Sequence, residues 1–265
     1  MVDRDLIKAL IVEFIGPFAL VFAGVGAIIA TQGGNLVAIA LAHGLAIGLM
    51  VTAVGHVSGG HFNPAVTVAM LVTGKIQAVS AAAYIGVQIL GAIVAAGVLV
   101  LIYPDLGELG RNNPGINNGV PAVSPEASLL GAFVLEAVLT FFLVWVIFGT
   151  AVDWRTPKAV TGLAIGLTIT MDIFAGGAIS GAVMNPARAL GPAIVQGDFT
   201  NILLWIVAPI VGGALAALLY QYVLLTDVPA PVALPEAQAT QAEPINDPNA
   251  VAPSATSRRR RSRRR

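Results

Sequence analysis

Asn63-Pro64-Ala65 and Asn185-Pro186-Ala187 place the same three residues twice in one chain, each after a glycine-bearing loop and before an apolar stretch too short to cross a bilayer. Asn followed by Pro starts helices: the amide side chain caps the first turn, and proline suits the first helical position, where an N–H would lack a partner anyway. A helix from Pro64 to about Thr73 rises roughly 15 Å, half of a ~30 Å hydrocarbon core, and one from Pro186 to about Val195 does the same. Each such N-terminus carries about half a positive charge. Two of them meeting halfway through a membrane repel cations, hydronium included. The Asn side chains meanwhile cap with their carbonyl oxygens and keep amide N–H groups for an uncharged partner. The plainer reading is two ordinary caps in a packed core.

The rest of the composition says what surrounds these elements. The chain has 265 residues, 57% of them hydrophobic and 11% charged, with a mean hydropathy of +0.85. Soluble domains carry about 25% charged residues, so this is a polytopic membrane protein with no room for a soluble catalytic domain. The absence of Cys excludes disulfides, thiol chemistry and Cys-ligated metals. His43, His56 and His61 lack the helical pairing with carboxylates that a metal site needs, so no metal or cofactor is expected. No nucleophile–base pair or carboxylate dyad emerges, which argues against an enzyme.

Six runs are long enough to cross: Leu6 to Ala30, Leu36 to Val57, Val79 to Tyr103, Ser128 to Val152, Ala159 to Ala175 and Ile202 to Leu225. Asp172 and the pair Gly176-Gly177 crowd the end of the fifth. The first run follows Lys8 without a clear cleavage motif and reads as a span rather than a signal peptide. The halves repeat. Gly44-Leu45-Ala46-Ile47-Gly48-Leu49 recurs verbatim as Gly162-Leu163-Ala164-Ile165-Gly166-Leu167, and the Gly pairs fit small-xxx-small helix contacts within one protomer. Glu13 precedes Asn63 by 50 residues and Glu136 precedes Asn185 by 49. Each repeat holds three spans, so the second enters the membrane upside down, and an inverted repeat of this kind puts a pore or binding site near the midplane.

Loop charges give the orientation. With both termini cytoplasmic, that side has Arg4, Lys8, Lys75, Arg155, Lys158 and seven tail Arg, against Arg111 and Arg188 opposite. Without the tail the count is still five to two. Residues 227–265 are Pro-, Ala- and Gln-rich and end in an Arg cluster from Arg258 to Arg265; they read as a disordered tail. The cluster is either a topological anchor or a contact for anionic lipid headgroups, at roughly 1 kcal/mol per basic residue. Nothing else supports nucleic acid as a partner.

The segments Ser58-Gly59-Gly60-His61-Phe62-Asn63-Pro64-Ala65-Val66-Thr67 and Ser180-Gly181-Ala182-Val183-Met184-Asn185-Pro186-Ala187-Arg188 resemble the two signature loops of the major intrinsic proteins, the aquaporins and aquaglyceroporins. The resemblance covers about residues 6 to 225. It implies an all-α membrane fold in which six transmembrane helices and two re-entrant half-helices form inverted repeats, about 6–103 and 128–225, inside a channel domain of residues 1–226. It also implies a homotetramer in the cell membrane. The implied activity is passive conduction of water, with small neutral solutes such as ammonia, glycerol, urea, hydrogen peroxide or carbon dioxide, and exclusion of protons and ions.

The resemblance assigns further residues. Glu13 and Glu136, the only Glu inside expected spans, accept hydrogen bonds from the backbone of the re-entrant loop in their own repeat; a proton relay is the competing role for such costly carboxylates. Arg188 sits at the offset of the family's selectivity Arg, and His43, Ile173 and Ala182 are expected to line the same constriction. A snorkelling Arg and a merely packed His are the plainer readings. His, Ile, Ala and Arg together resemble the filters of some plant vacuolar-membrane aquaporins, and the Ile resembles an archaeal one, which implies broader passage than water alone. Ala189, Ala193 and Leu204-Trp205 depart from the glycerol-facilitator pattern. A glycerol or small-solute facilitator is the nearest alternative, and an ion-coupled transporter, which wants titratable groups where this midplane has neutral Asn, is a distant one.

Overall fold

The computed structural model describes residues 4–103 and 119–226. Helices α1 (Arg4–Ala30), α2 (Leu36–Ser58), α3 (Pro64–Val72) and α4 (Ala78–Ile102) form the first repeat. The second comprises α5 (Leu129–Ile147), α6 (Thr161–Ser180), α7 (Pro186–Gln196) and α8 (Ile202–Leu219). Among the described residues six helices are long and apolar enough to cross a membrane, while α3 and α7, at 9 and 11 residues, are not. The expected tail with its Arg cluster, and Arg111, lie outside the described residues.

One expectation shifts at its edge. The fifth span runs through Gly176-Gly177 to Ser180 instead of ending at Ala175, and ends where Gly181 turns into the left-handed region at φ 87°. The glycines do not break the helix because neighbours crowd it: a methyl on Gly176 would fall 2.6 Å from Leu139 Cδ1. The fourth and sixth spans close in single π turns, Phe148–Val152 and Tyr220–Leu224, which lie against each other.

Packing follows the repeat. α1 lies along α4 and α5 along α8, while each half-helix lodges against the last span of the other repeat, α3 on α8 and α7 on α4. The verbatim hexapeptides meet each other where α2 crosses α6. A methyl on Gly44 would sit 2.4 Å from the Gly166 carbonyl oxygen, and one on Gly166 would sit 2.5 Å from that of Gly44. Only glycine allows the two backbones this close, the small-residue contact that joins helices where lipid removes the hydrophobic drive.

Polarity is arranged for a bilayer. Large apolar side chains such as Leu41, Leu45 and Leu49 on α2 and Leu163, Leu167 and Met171 on α6 are exposed. The interior holds Glu13, Glu136, Gln88, Asn63, Asn185, His43 and Arg188, all buried. Such groups belong inside only if their hydrogen bonds are made there or if they line a polar path.

Candidate functional site

Both half-helices begin as the sequence predicts. Asn63 Oδ1 accepts from the Ala65 N–H at 2.8 Å, and Asn185 Oδ1 accepts from the N–H groups of Ala187 at 3.0 Å and Arg188 at 3.3 Å. The other end of each amide does something the sequence does not announce. Asn63 Nδ2 donates to the Met184 carbonyl at 2.8 Å, and Asn185 Nδ2 donates to the Phe62 carbonyl at 2.9 Å. The two helix starts are stitched to each other's loops. Each Asn keeps one N–H, because a side-chain amide has two donors.

The loops before them carry unusual backbone. Phe62, Ala182 and Met184 have φ of 50°, 44° and 52°, a left-handed conformation that side chains with Cβ rarely adopt and that persists only when the surroundings hold it. The holders are the two buried glutamates. Glu13 Oε1 accepts from Ser58 Oγ at 2.7 Å and the His61 N–H at 2.9 Å. Its Oε2 accepts from the Phe62 N–H and from Gln88 Nε2, both at 2.7 Å. Glu136 Oε1 accepts from Ser180 Oγ at 2.6 Å and the Val183 N–H at 2.9 Å, and its Oε2 accepts from the Met184 N–H at 2.9 Å. Both carboxylates are 0% exposed, so these bonds replace water entirely.

Several partners escaped sequence reasoning. Tyr84 Oη donates to the Ser58 carbonyl and Trp205 Nε1 to the Ser180 carbonyl, each at 3.0 Å. The signal for the serines was present: each stands five residues before its Asn and opens a Ser-Gly step. Gln88 and Thr67 had no such marker; Gln88 Nε2 donates to Thr67 Oγ1 at 3.0 Å as well as to Glu13.

A cavity, the candidate passage, lies between these loops and the spans. Its walls include Asn63 and Asn185, loop residues 60–62 and 182–184, and the apolar side chains Leu20, Ile47, Leu143, Ile147, Ile165 and Ile169. His43, Ile173 and Ala182 line it too. His43 Nδ1 lies 2.8 Å from the Ile39 carbonyl, so Nδ1 carries the hydrogen and Nε2 is left as an acceptor. Arg188 is not among the residues that line it; it is buried at 3% exposure, and its Nη1 donates to the Gly119 carbonyl at 2.9 Å. Three of the four expected filter residues thus line one cavity, and the Arg stands one turn into α7. Among the described residues no cluster of three or more His, Cys, Asp or Glu could hold a metal ion.

Six membrane-length spans around a cavity lined by the first residues of two half-helices are the architecture of a transmembrane channel. A family model described as major intrinsic protein matches residues 1–220. The chain is 37% identical over 233 residues to Nodulin-26 of Glycine max, covering 86% of this chain and 82% of that protein. It is 40% identical over 243 residues to the probable aquaporin TIP3-2 of Arabidopsis thaliana, covering 86% and 87%. The X-ray structure of the aquaglyceroporin from Plasmodium falciparum superimposes with a TM-score of 0.73 at 27% identity, over 83% of this chain and 97% of that one. The chain belongs to the major intrinsic protein family. It is a passive channel of the membrane and not an enzyme.

Proposed function

We propose that this channel conducts water together with small neutral solutes and excludes protons and ions. The observation that carries the reading is the reciprocal stitch, Asn63 to Met184 and Asn185 to Phe62, which brings two helix N-termini to one point of the passage. A cation there meets the positive ends of two helices in a medium that screens poorly. A water there meets one free N–H from each Asn on one side and apolar Ile and Leu side chains on the other. Accepting from both amides uses its lone pairs, so it cannot also accept from the next water in file. A proton hopping along the file needs each water to accept from one neighbour and donate to the next. The chain of hops is interrupted while the molecule itself passes.

The constriction sets what else goes through. Arg188 donates and repels cations, and His43 Nε2 accepts, so a neutral molecule exchanges hydrogen bonds with water for bonds with the wall. Ile173 and Ala182 give that wall an apolar and a small side. This favours solutes beyond water, and a facilitator dominated by small solutes is the second reading. Stopped-flow light scattering on proteoliposomes separates them by comparing osmotic water flux with glycerol, urea and ammonia flux, alongside proton current. Fast water flux without proton current is expected; a proton current that scales with water flux would falsify the proposal.

Assembly and placement belong to the same reading. Both termini face the cytoplasm of the cell membrane, on the balance of Lys and Arg between the two sides. The functional unit is a homotetramer on the family resemblance alone, and the Arg-rich tail serves as a topological anchor or as a contact for anionic headgroups.

A further inference from the structure

Gly24 of α1 lies directly behind His43. A methyl carbon added there would fall 2.4 Å from both Cδ2 and Nε2 of the imidazole and 2.5 Å from Cε1. Near-equal distances to three ring atoms mean that the imidazole lies flat over the glycine's backbone. It is also held at its other edge, where Nδ1 bonds the Ile39 carbonyl of its own helix. With its face on α1 and one nitrogen tied to α2, the ring borders the passage that it lines.

We propose that Gly24 is a specificity-determining residue: its bare backbone seats the imidazole against α1 and so fixes how far His43 reaches into the constriction. The inference rests on the reading of His43 as part of the filter. A side chain at position 24 collides with the tip of a side chain, not with backbone, so the ring yields and moves into the passage. The next residue of α1 plays a parallel part for the Arg. A methyl on Gly119, whose φ is +83°, would fall 2.2 Å from Val25 Cγ1, and the Gly119 carbonyl is the one that Arg188 Nη1 donates to. Consecutive residues of α1 therefore back both polar members of the constriction, and neither touches the permeating molecule.

The test is a double-mutant cycle on the full-length channel in proteoliposomes, with Gly24→Ala, His43→Ala and the pair. Water, urea and glycerol fluxes are measured together with the thermal midpoint in detergent. Gly24→Ala is expected to lower urea and glycerol flux about tenfold relative to water, the scale of one methyl group in a close-fitting site. In the His43→Ala background the same change leaves the flux ratios where His43→Ala alone puts them. The pair is also expected to be no less heat-stable than His43→Ala, since alanine is the better helix former once the collision is gone. A Gly24→Ala protein that folds only when His43 is also replaced supports the proposal. Unchanged flux ratios in a folded Gly24→Ala channel overturn it, as does an equal effect in both backgrounds or failure of the pair to fold. If His43→Ala itself leaves the ratios unchanged, the filter reading fails first, and that outcome is distinct from a filter that responds to His43 but not to Gly24.

Discussion

Gln88 donates to Glu13 at 2.7 Å, and the matching place beside Glu136 in the second repeat holds a proline. Tyr84 and Trp205 occupy equivalent sites, each bonding the carbonyl of its repeat's Ser, and four residues on from them stand Gln88 and Pro209. Glu13 accordingly accepts four hydrogen bonds, and Glu136 accepts three. The symmetry of the loops is closer than the symmetry of what holds them.

Replacing either glutamate by Gln keeps the shape but turns one acceptor oxygen into a donor. Ser58, Ser180 and Gln88 can reverse their roles, whereas backbone N–H groups cannot. Glu13→Gln and Glu136→Gln are each expected to strand one loop N–H, at about 1–3 kcal/mol. The thermal midpoint and the osmotic water flux both fall. A variant that keeps its midpoint and its water flux but changes proton handling would point to the relay role instead.

Asn185→Ala removes a cap, worth roughly 1 kcal/mol, and leaves the Phe62 carbonyl without its donor, at about 1–3 kcal/mol more. Asn63→Ala does the same to the Met184 carbonyl. Both variants are expected to melt earlier and to show proton current beside a reduced water flux. Patch recordings or pH-sensitive dyes in liposomes read that current directly.

His43→Phe fills the polar corner of the constriction, and Ile173→His restores a polar wall opposite. Together they are expected to lower urea and glycerol flux about tenfold or more while water flux changes less, because the added bulk excludes the larger solutes first. An unaltered solute-to-water ratio removes His43 and Ile173 from the filter.

Asp153 lies outside the spans, and its carboxyl is held well below the usual carboxylate range, chiefly by hydrogen bonds from the Arg155 guanidinium. Tyr220 Oη also donates to it, at 3.1 Å. A carboxyl whose affinity for protons is lowered by folding adds stability that is present above its ordinary value of 3.8 and lost as pH falls further below it. Asp153→Asn is therefore expected to melt earlier than the native protein at pH 7, with the difference shrinking below about pH 4. Melting curves across pH 3 to 7, roughly spanning the ordinary carboxylate range, would show it; a constant difference contradicts the assignment.

Asp172 is 1% exposed, and neither of its oxygens has a partner among the described residues. A buried polar side chain without a partner destabilises, so replacing it by an apolar side chain of similar shape, Asp172→Leu, is expected to raise the thermal midpoint, by the equivalent of about 1–3 kcal/mol, without reducing water flux. An earlier melt would reveal a partner that this carboxylate has in the membrane.

Much of this architecture is written locally in the chain. Helix starts at Asn63-Pro64 and Asn185-Pro186 need only the next few residues, so both half-helices were legible to within a residue or two at their ends. The six spans follow from length and apolarity, and the inverted repeat from a hexapeptide and two spacings. The run of α6 through Gly176-Gly177 was hidden because the packing that favours helix there comes from α5, far away in sequence. The same holds for the site. Which side chains line the passage came from resemblance, whereas Gln88, Thr67 and the Asn amide bonds to opposite loops depend on contacts that no periodicity displays. Gly24 is the extreme case: its significance lies in what is missing from it.

The meeting of Gly44 with Gly166 has a consequence for how such a molecule could originate. Each side of that seam is the same peptide, so the contact is isologous: the surface fits a rotated copy of itself. A half-length ancestor carrying it would present to a second copy everything the crossing requires, provided the two copies inserted in opposite senses. Fusing them into one polypeptide removes that lottery, because three spans in the first half compel the second to insert upside down.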